Sequence, residues 1–506
     1  MKPIIFQICC FFIYTSIFAQ PTFSNIIDLE QGYDQLPTDL LILNNNILVT
    51  SVHNCAEVSG SDPCTSLSFF EFSGQMQDIK LIKNFRHASG SSTDFESDII
   101  RMIGIDDLNN RSGITHIDYH LSSNQIDLGR TNIDTLNSYV SEGMLSFNNS
   151  LLVFGMFNDT SPGIKAKVFI SKWDKNFEKL ESFWSYLNNT YVSMRDLTKT
   201  SESSLVFIAS GINPGPSGGL PLHIIKIDTL GGEIAELNID SRVRSINLAK
   251  NDLDELYFNI DYAFKTSIAK VDKDLDEILW ELTLPVYDHI IDQRYTIEDI
   301  IVANNGDVIF CGEINCQLQN GYRLVGGVVG RISSEGELLW LKILANDNFV
   351  ENSWDEKYRD SFLTHLKELP NGKLVAMGQA WQLFLDYGQE RSLWLLTMDE
   401  NGCFDGFDCE DDIYVLNTGE SMPILNNISE LKSFGENLIF PNPVKDVLNV
   451  KVNGGFTYEI QNSHGKLLQS GNSENEIEVS QLPSGIYFLQ LSQRDKLYQA
   501  TKFIKL

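Results

Sequence analysis

The sequence predicts an all-β protein: a β-propeller of about seven blades followed by a small C-terminal Ig-like β-sandwich. Three observations support this class. A strand-and-turn pattern recurs about every fifty residues, helical periodicity is almost absent, and roughly the last seventy residues follow a different strand pattern. The 506 residues are too many for one ordinary domain and suit one large repeat domain plus a smaller one.

The repeat consists of a polar turn triplet followed by a short apolar run rich in β-branched residues. Its matching apolar positions are Val49, Val153, Val206, Tyr257, Ile309 and Val375, with spacings of 104, 53, 51, 52 and 66 residues. Because the first spacing is twice the next ones, we expect a seventh, degenerate copy inside it, near residues 96–102. The long last spacing predicts an inserted polar loop at 346–360.

Each unit also contains a hairpin after the matching run, so that one repeat holds four short strands. Four short strands in about fifty residues are typical of a propeller blade. We therefore assign residues 20–417 to the propeller, with six or eight blades as open alternatives to seven. A β-helix is the rival fold, but its coils repeat at shorter intervals. The strand predicted at 22–29 is expected to complete the last blade and close the ring.

The repeats at 35–405 resemble the divergent propeller repeats of secreted bacterial proteins. Such repeats carry a Gly-x-Leu/Ile-x-Trp turn, which this sequence has at Gly336 to Trp340. The resemblance implies a fold and no activity. Trp280 and Trp340 are expected to lie in the blade cores rather than to form a ligand platform.

The first nineteen residues have the layout of a secretory signal peptide. Lys2 supplies one positive charge, an apolar run extends to Phe18, and the segment ends on the small residue Ala19. This run of about fifteen residues is shorter than the roughly 20 that span a bilayer. Because no later stretch is long and apolar enough, we expect a mature chain without a transmembrane segment.

The cysteines after the signal peptide form three pairs that are close in sequence: Cys55 and Cys64, Cys311 and Cys316, Cys403 and Cys409. An even number of cysteines in an exported chain predicts disulfides. Six cysteines allow fifteen connectivities, among which the pairing of nearest neighbours is the easiest to close. No pair has the CxxC spacing of a zinc site.

The sequence is strongly acidic, with 38 Lys and Arg against 68 Asp and Glu and a formal net charge of −30. This balance argues against binding to nucleic acid, whose affinity depends on cationic contacts to phosphate, and against docking on anionic lipid. Residues 438–506 hold seven Lys and Arg against six Asp and Glu, so the negative charge belongs to the chain before them.

The last unit follows a polar segment at 418–437, which we interpret as a linker. From residue 438 onwards, alternating strands are joined by turns, and about seventy residues of this kind predict a small antiparallel β-sandwich. Four short motifs occur in order: Pro441-Asn442-Pro443-Val444, then Gly465-Lys466, then Leu482-Pro483-Ser484-Gly485-Ile486-Tyr487, and a terminal strand that contains Lys502 and Lys505.

With these motifs, residues 438–506 closely resemble the type A C-terminal sorting domain of the type IX (Por) secretion system of Bacteroidota. The resemblance implies export through the periplasm and recognition by the outer-membrane translocon. It also implies a secreted or cell-surface location, usually with removal of the domain. An ordinary Ig-like carbohydrate-binding module is the alternative for this unit.

Few residues suggest catalytic chemistry. Gly215 to Gly219 fits G-x-S-x-G, but nearby prolines predict a loop instead of the strand-to-helix turn that a nucleophile requires. His116, Asp118 and His120 share one strand face, yet the two histidine Cα atoms would lie about 13 Å apart, which disfavours a common metal. Residues 272–277 begin like a calcium loop but lack its glycine, so a charged hairpin turn is expected.

An acidic cluster next to Cys403 and Cys409 includes Asp405, Asp408 and Asp411. Because hard cations prefer oxygen-rich turns, weak calcium binding by these aspartates is kept as an alternative to the expectation of no cofactor. No catalytic residue is assigned.

Two classes of function follow. The favoured one is a non-enzymatic propeller, secreted or held at the cell surface, that acts as a binding, adhesion or interaction module for a protein or polysaccharide. The alternative is a propeller hydrolase or lyase acting on polysaccharide, with carboxylates around the central channel. Convergent carboxylates flanked by aromatic side chains and hydrogen-bonded His or Arg would favour the enzyme, and a smooth polar channel would favour binding.

Overall fold

The protein is described by a computed structural model and divides into two compact units, Met1–Glu420 and Ser421–Leu506. Every regular element within the described residues is a β-strand. The described residues are 22–505 apart from 28–34, 44–45, 55–62, 84, 88–92, 97, 106–113, 124, 132–137, 148–149, 159–166, 175, 177–178, 184–190, 202–203, 212–221, 229–230, 240–246, 263–264, 287–289, 319–322, 347–360, 385–387, 406–408, 410–412, 417–438, 441–443, 451–454, 463–466, 474, 484 and 494–495.

The first unit is a seven-bladed propeller, as the repeat predicted, and the blades follow one another along the chain. Blade 1 contains β2 (Leu36–Leu43), β3 (Asn46–Asn54), β4 (Pro63–Glu71) and β5 (Met76–Lys83), and blade 2 contains β6 (Arg86–His87), β7 (Thr93–Glu96), β8 (Ile99–Ile105), β9 (Ile114–His120) and β10 (Gln125–Thr131). Blade 3 contains β11 (Ser138–Phe147), β12 (Ser150–Asn158), β13 (Lys167–Trp173) and β14 (Lys179–Phe183). Blade 4 contains β15 (Tyr191–Lys199), β16 (Leu205–Gly211), β17 (Leu222–Ile227) and β18 (Glu233–Ile239).

Blades 5 to 7 complete the ring. Blade 5 contains β19 (Leu248–Lys250), β20 (Leu256–Tyr262), β21 (Lys265–Val271) and β22 (Ile278–Thr283). Blade 6 contains β23 (Ile290–Val302), β24 (Val308–Leu318), β25 (Arg323–Ile332), β26 (Leu338–Asn346) and β30 (Ile413–Leu416). Blade 7 contains β27 (Phe362–Glu368), β28 (Leu374–Phe384), β29 (Gly388–Met398) and β1 (Phe23–Ile27).

The first strand of each blade lies innermost, and inner strands contact one another from blade 2 through blade 7 and between blades 7 and 1. The six matching positions of the sequence repeat all lie on the second strand of a blade and are fully buried. The seventh copy expected near 96–102 is present as β8, the corresponding strand of blade 2. The repeat is therefore the strand that apolar side chains bury on both faces, which explains its run of consecutive apolar residues.

The ring closes through its N-terminal strand, as predicted. Strand β1 pairs antiparallel with β29, so that Phe23 lies opposite Thr397 and Ile27 opposite Leu393. The last blade is thus built from both ends of the propeller sequence. After β29 the chain crosses back to blade 6, where β30 adds a fifth strand parallel to β26.

Inner strands carry a β-bulge at one recurrent place, between Pro37 and Asp39 in β2, Met194 and Asp196 in β15, Ile297 and Asp299 in β23, and Leu363 and His365 in β27. The residue opposite each bulge on the second strand is small. A Cβ on Gly312 would stand 2.0 Å from the backbone oxygen of Thr296, and one on Gly378 would stand 1.8 Å from that of Phe362. Gly312 and Gly378 lack a side chain and therefore leave room for the bulges of the inner strands next to them.

The second unit contains two sheets that share one hydrophobic core, the arrangement of a β-sandwich. One sheet has β31 (Ile439–Phe440), β32 (Val447–Val450) and β35 (Glu476–Glu478); the other has β34 (Leu467–Ser473), β33 (Phe456–Asn462), β36 (Gly485–Gln493) and β37 (Lys496–Lys505). Leu448 and Ile477 from the first sheet and Ile460 and Leu489 from the second belong to this core.

Three segments predicted from the sequence lie outside the described residues. They are the signal peptide at 1–19, the linker at 418–437 and nearly all of the inserted loop at 346–360. Within the part of the chain that the structure describes, no helix has the length and apolarity needed to cross a membrane.

Candidate functional site

Side chains on or next to the inner strands form hydrogen bonds between consecutive blades from blade 4 to blade 7. Asp196 of blade 4 accepts a hydrogen bond of 2.8 Å from the Leu248 N–H of blade 5. Asp299 of blade 6 accepts one of 2.8 Å from the Leu366 N–H of blade 7. Between them, the side chain of Asn247 donates to the backbone oxygen of Glu298 in blade 6. We call Asp196, Asn247 and Asp299 the inner-strand latch, because they join blades 4, 5, 6 and 7 in succession.

The second oxygen of the Asp196 carboxylate is also satisfied locally. It accepts a hydrogen bond of 2.7 Å from the Leu197 N–H, directly after the bulge. Asp39 in blade 1 does the same with Leu40 at 2.8 Å, and the Asp39 side chain is buried. A bulge frees backbone N–H groups from the ladder, and these aspartates supply the acceptor.

Burial dominates the electrostatics of the latch. It raises the pKa of Asp196 from its ordinary 3.8 to about 7, against the opposing effect of the two backbone hydrogen bonds. Burial also raises the pKa of Asp299, and the charge of Lys367 acts in the opposite direction. Asp299 and Lys367 both act on Asp196, although the three lie on different blades, 6, 7 and 4. All three lie on the innermost strands of their blades, β15, β23 and β27, which surround the axis of the propeller.

The sequence contains a signal for the latch that is separate from the apolar repeat. This signal is a three-residue pattern, a polar residue followed by Asp and then by Leu or Ile, and it occurs at 38–40, 195–197 and 298–300. The aspartates are 157 and 103 residues apart, about three and two times the repeat length. The same position in other blades holds Gly143, Asn247 or His365, and this variation hides the pattern.

One disulfide prediction is confirmed and one is wrong. Cys403 and Cys409 form a disulfide. Cys64 is also disulfide-bonded, and Cys55, the cysteine nearest to it in sequence, lies outside the described residues. Cys311 and Cys316 are buried thiols.

Strand geometry explains why the Cys311–Cys316 pairing fails. The two residues lie on the same strand, β24, five positions apart, so their Cα atoms are separated by about 16 Å, whereas a disulfide needs less than about 7 Å. An odd separation also places them on opposite faces, and they belong to different hydrophobic clusters. Burial raises the pKa of the Cys311 thiol well above its usual value, which makes it unreactive.

The calcium alternative concerned Asp405, Asp408 and Asp411. The Asp405 carboxylate accepts a hydrogen bond of 2.8 Å from the Thr22 N–H, so it is used in ring closure. Asp408 and Asp411 lie outside the described residues, and no group of three metal-ligating side chains occurs among the residues that are described. Calcium binding by these aspartates remains a prediction.

The other sequence candidates are structural where they are described. Asp272 accepts hydrogen bonds from the N–H groups of Asp274, Asp276 and Glu277, which makes 272–277 a hairpin turn, as expected. Residues 215–219 lie outside the described residues, in the connection between the paired antiparallel strands β16 and β17.

The His116, Asp118 and His120 face is a polar part of blade 2. His120 Nε2 lies 3.0 Å from Asp127, and Arg101 Nε lies 3.6 Å from Asp118. Burial lowers the pKa of His116 to about 4, which keeps its imidazole neutral at neutral pH, and burial raises the pKa of Asp118. Asp118 and His120 thus belong to one charged group with Arg101 and Asp127.

The two repeat tryptophans pack within the blades, against the next blade's turn. Trp280 is partly buried and donates a hydrogen bond of 3.1 Å to the Ser334 oxygen of blade 6. A Cβ on Gly336 would come within 2.9 Å of its ring, and one on Gly402 within 2.8 Å of the Trp340 ring. The glycine of each turn therefore leaves room for the tryptophan ring of the preceding blade.

Motif residues of the C-terminal unit that are distant in sequence meet at the end of β37. Val444 forms a parallel bridge with Lys505, and Gly485 pairs with the same residue from the other side. Tyr487 stacks on Phe503, with ring centroids 5.6 Å apart. Pro441, Asn442, Pro443, Gly465, Lys466 and Ser484 lie outside the described residues, and for Ile486 and Lys502 only the strand position is described.

The Leu482 to Tyr487 motif forms a turn closed by its own tyrosine. The Tyr487 hydroxyl donates a hydrogen bond of 2.7 Å to the Pro483 oxygen, and Leu482 packs on the core. Tyr487 is buried, with 5% of its surface exposed, whereas Pro483 is exposed. The motif thus anchors a turn to the sandwich core.

We expect Tyr487→Phe to destabilise this unit by about 1 kcal/mol, the usual value of one hydrogen bond whose acceptor can turn to water. Hydrogen exchange of the full chain measures the effect as faster exchange of the β36 and β37 amides. Tyr458→Phe is the matched control, because its hydroxyl accepts a bond from Gln469 across the sheet and closes no turn. Equal exchange in the two variants would contradict the role given to Tyr487.

The fold defines this protein as a seven-bladed propeller with a β-sandwich as its second unit. Residues 438–505 match the model of the family described as the secretion system C-terminal sorting domain (Por_Secre_tail). Such a tail implies export by the type IX secretion system to the cell surface or the extracellular space. No curated protein shows significant similarity to the sequence.

Comparison with solved structures found distant matches. The β-propeller domain of the trilobed protease from Pyrococcus furiosus is 10% identical, with 77% of this chain and 99% of that chain covered and a TM-score of 0.42. Acylaminoacyl peptidase from Pyrococcus horikoshii is 9% identical, with 91% and 58% covered and a TM-score of 0.40. A luciferin-regenerating enzyme is 12% identical, with 62% and 92% covered and a TM-score of 0.37. At these values the similarities carry no inference about ligand or activity.

Proposed function

We propose that this protein is a non-enzymatic propeller that is exported through the periplasm, delivered to the outer surface or released, and acts there as a binding, adhesion or interaction module. Its ligand would be a protein or a polysaccharide. We further propose that its source belongs to the Bacteroidota, that residues 1–19 are removed during export, and that the outer-membrane translocon reads the sorting tail.

The observation that carries the binding proposal is the engagement of the latch carboxylates. Both oxygens of Asp196 accept backbone N–H groups, one from its own strand and one from the next blade. Asp299 likewise accepts the Leu366 N–H of blade 7. Carboxylates that serve glycoside hydrolysis must reach the scissile bond, and these are committed to holding the ring.

One observation favours the alternative, a hydrolase or lyase acting on polysaccharide. Burial raises the pKa of Asp196 to about 7, and the charge of Asp299 acts in the same direction while that of Lys367 opposes it. A carboxyl with a pKa of about 7 is suited to donate a proton near neutral pH. The two carboxylates are the pair to remove when the alternative is tested.

The two functions are separated by assaying the purified mature chain on a panel of soluble plant, algal and bacterial polysaccharides and on surface proteins immobilised from neighbouring cells. Binding to one ligand class without release of reducing ends or unsaturated sugars supports the proposal. Product release that Asp196→Asn and Asp299→Asn abolish, while exposed Asp252→Asn leaves it unchanged, would establish the enzyme instead.

Removing the sorting tail tests the export route. A chain that ends at Asn437 is expected to be absent from the surface and the medium and to accumulate inside the cell envelope. Protease treatment of intact cells followed by immunoblotting measures this, with the full-length Asp252→Asn chain as the control. Surface delivery of the shortened chain at the normal level would overturn the proposal.

A further inference from the structure

The two ends of the propeller sequence meet at one short loop, which the Cys403–Cys409 disulfide closes. Asp405 lies within this loop and exchanges two hydrogen bonds with Thr22, the residue before the closing strand. The Thr22 N–H donates to Asp405 Oδ2 at 2.8 Å, and the Asp405 N–H donates to Thr22 Oγ1 at 2.6 Å. Asp405 therefore binds the residue that directly precedes the closing strand.

The closing strand also contacts blade 7 directly. It pairs with β29 over five residues, Phe23 to Ile27, on the outer edge of blade 7. A side-chain hydrogen bond supports this pairing, from Trp394 Nε1 to Ser24 Oγ at 3.0 Å. A five-residue strand at the edge of a sheet is paired on one side only, so the two bonds at Thr22, directly before the strand, weigh heavily in holding it.

The same loop also anchors the strand that leaves the propeller. The Cys409 oxygen accepts a hydrogen bond of 2.7 Å from Lys342 Nζ in blade 6. This lysine lies over the Tyr414 ring of β30 at 5.3 Å, and Phe404 meets that ring edge-on at 5.6 Å. The closing strand β1 and the strand β30 are thus both held by contacts of Phe404, Asp405 and Cys409, which the disulfide keeps together.

We propose that the redox state of the Cys403–Cys409 disulfide controls ring closure. The intact disulfide holds Asp405 where it binds Thr22, and reduction of the disulfide releases β1 and loosens β30. Cys409 is exposed while Cys403 is buried, so a soluble thiol can approach the disulfide from the Cys409 side. A dithiol reductant supplies the two electrons and two protons, its own thiols become a disulfide, and Cys403 and Cys409 become thiols. Ring closure would then be complete only in an oxidising compartment.

The test is hydrogen exchange on the full mature chain, comparing β1 and β30 with strand β16 of blade 4 as internal reference. Reduction with dithiothreitol, and separately the Cys403→Ser/Cys409→Ser variant, are expected to speed exchange at Phe23–Ile27 at least tenfold with β16 unchanged. Dithiothreitol added to the double serine variant should have no further effect on β1, which separates this disulfide from that of Cys64.

Asp405→Ala is the second variant, and it leaves the disulfide in place, as intact mass under alkylation verifies. It is expected to release β1 to a similar extent. Unchanged exchange at β1 after reduction would overturn the proposal, as would an equal rise in all blades. Loosening by the serine variant without any effect of Asp405→Ala would show that the disulfide does not act through Asp405, and would also overturn it. If the serine variant does not fold, reduction of the folded native chain decides.

Discussion

Gly312→Ala is expected to lower the stability of the propeller by about 3 kcal/mol or more, a large effect for one methyl group. The added Cβ would lie 2.0 Å from the Thr296 oxygen and 2.9 Å from the Ile297 Cα, both backbone atoms of the inner strand. Side chains can rotate away from a clash, but this contact requires the bulged strand itself to move. That movement would displace Asp299, which latches blade 6 to blade 7.

Gly306→Ala is the matched control in the same blade. Gly306 has φ +89° and nothing within 4 Å of its added Cβ, so alanine there meets only the cost of a left-handed backbone, about 1–2 kcal/mol. Guanidinium unfolding midpoints of the two variants and the parent provide the comparison. Gly378→Ala in blade 7 should behave like Gly312→Ala, because its Cβ would lie 1.8 Å from the Phe362 oxygen. Equal midpoints for Gly312→Ala and Gly306→Ala would rule out the close-approach explanation.

Asp196→Asn is expected to flatten the dependence of propeller stability on pH. The folded chain holds the Asp196 proton up to a pKa of about 7, whereas its ordinary value is 3.8. Between these values the folded state binds more protons than the unfolded state, so stability is highest below about pH 4 and falls as pH rises through 7. One such group contributes a slope of at most about 1.4 kcal/mol per pH unit. Asparagine removes this contribution because it cannot ionise.

Thermal unfolding measured between about pH 4.5 and 7.5 tests this expectation. The parent's midpoint should fall over this range, and that of Asp196→Asn should fall less. A residual slope is expected, because burial also raises the pKa of Asp299. The exposed Asp252→Asn should follow the parent. Parallel profiles for the parent and Asp196→Asn would mean that Asp196 is ionised throughout and that its burial is offset by the two N–H groups.

Most of the fold could be predicted from the sequence, because the signals involved are local. Turn residues and alternating or consecutive apolar residues identify strands within about ten residues, and the spacing from Val49 to Val375 counts the blades. The doubled first spacing revealed the weak copy at β8, and the strand at the N-terminus was correctly expected to close the ring. The sorting tail was recognisable because its motifs lie in order within about seventy residues.

The site depended on contacts that sequence proximity does not report. Cys311 and Cys316 were disulfide candidates, and their pairing looked the easiest to close because they are near in sequence, but on a strand five positions mean separate faces. Asp405 drew attention as a candidate metal ligand because it lies among acidic residues, whereas its hydrogen bond to Thr22, at the other end of the propeller, appears only in the structure. The Asp-Leu/Ile signal of the latch was in the sequence, but its meaning required knowing which N–H lies opposite.

The sequence by itself therefore determined that this protein is a propeller of repeated four-stranded units with a sorting tail, because strand pattern, turn chemistry and repeat length are properties of neighbouring residues. Only the tertiary structure decided how the ring is held. Asp196 finds its partner 52 residues further along the chain at Leu248, and Thr22 finds Asp405 at a separation of 383. Such bonds exist only once the blades have closed into a circle, since closure is what brings the inner strands and the two ends of the propeller together.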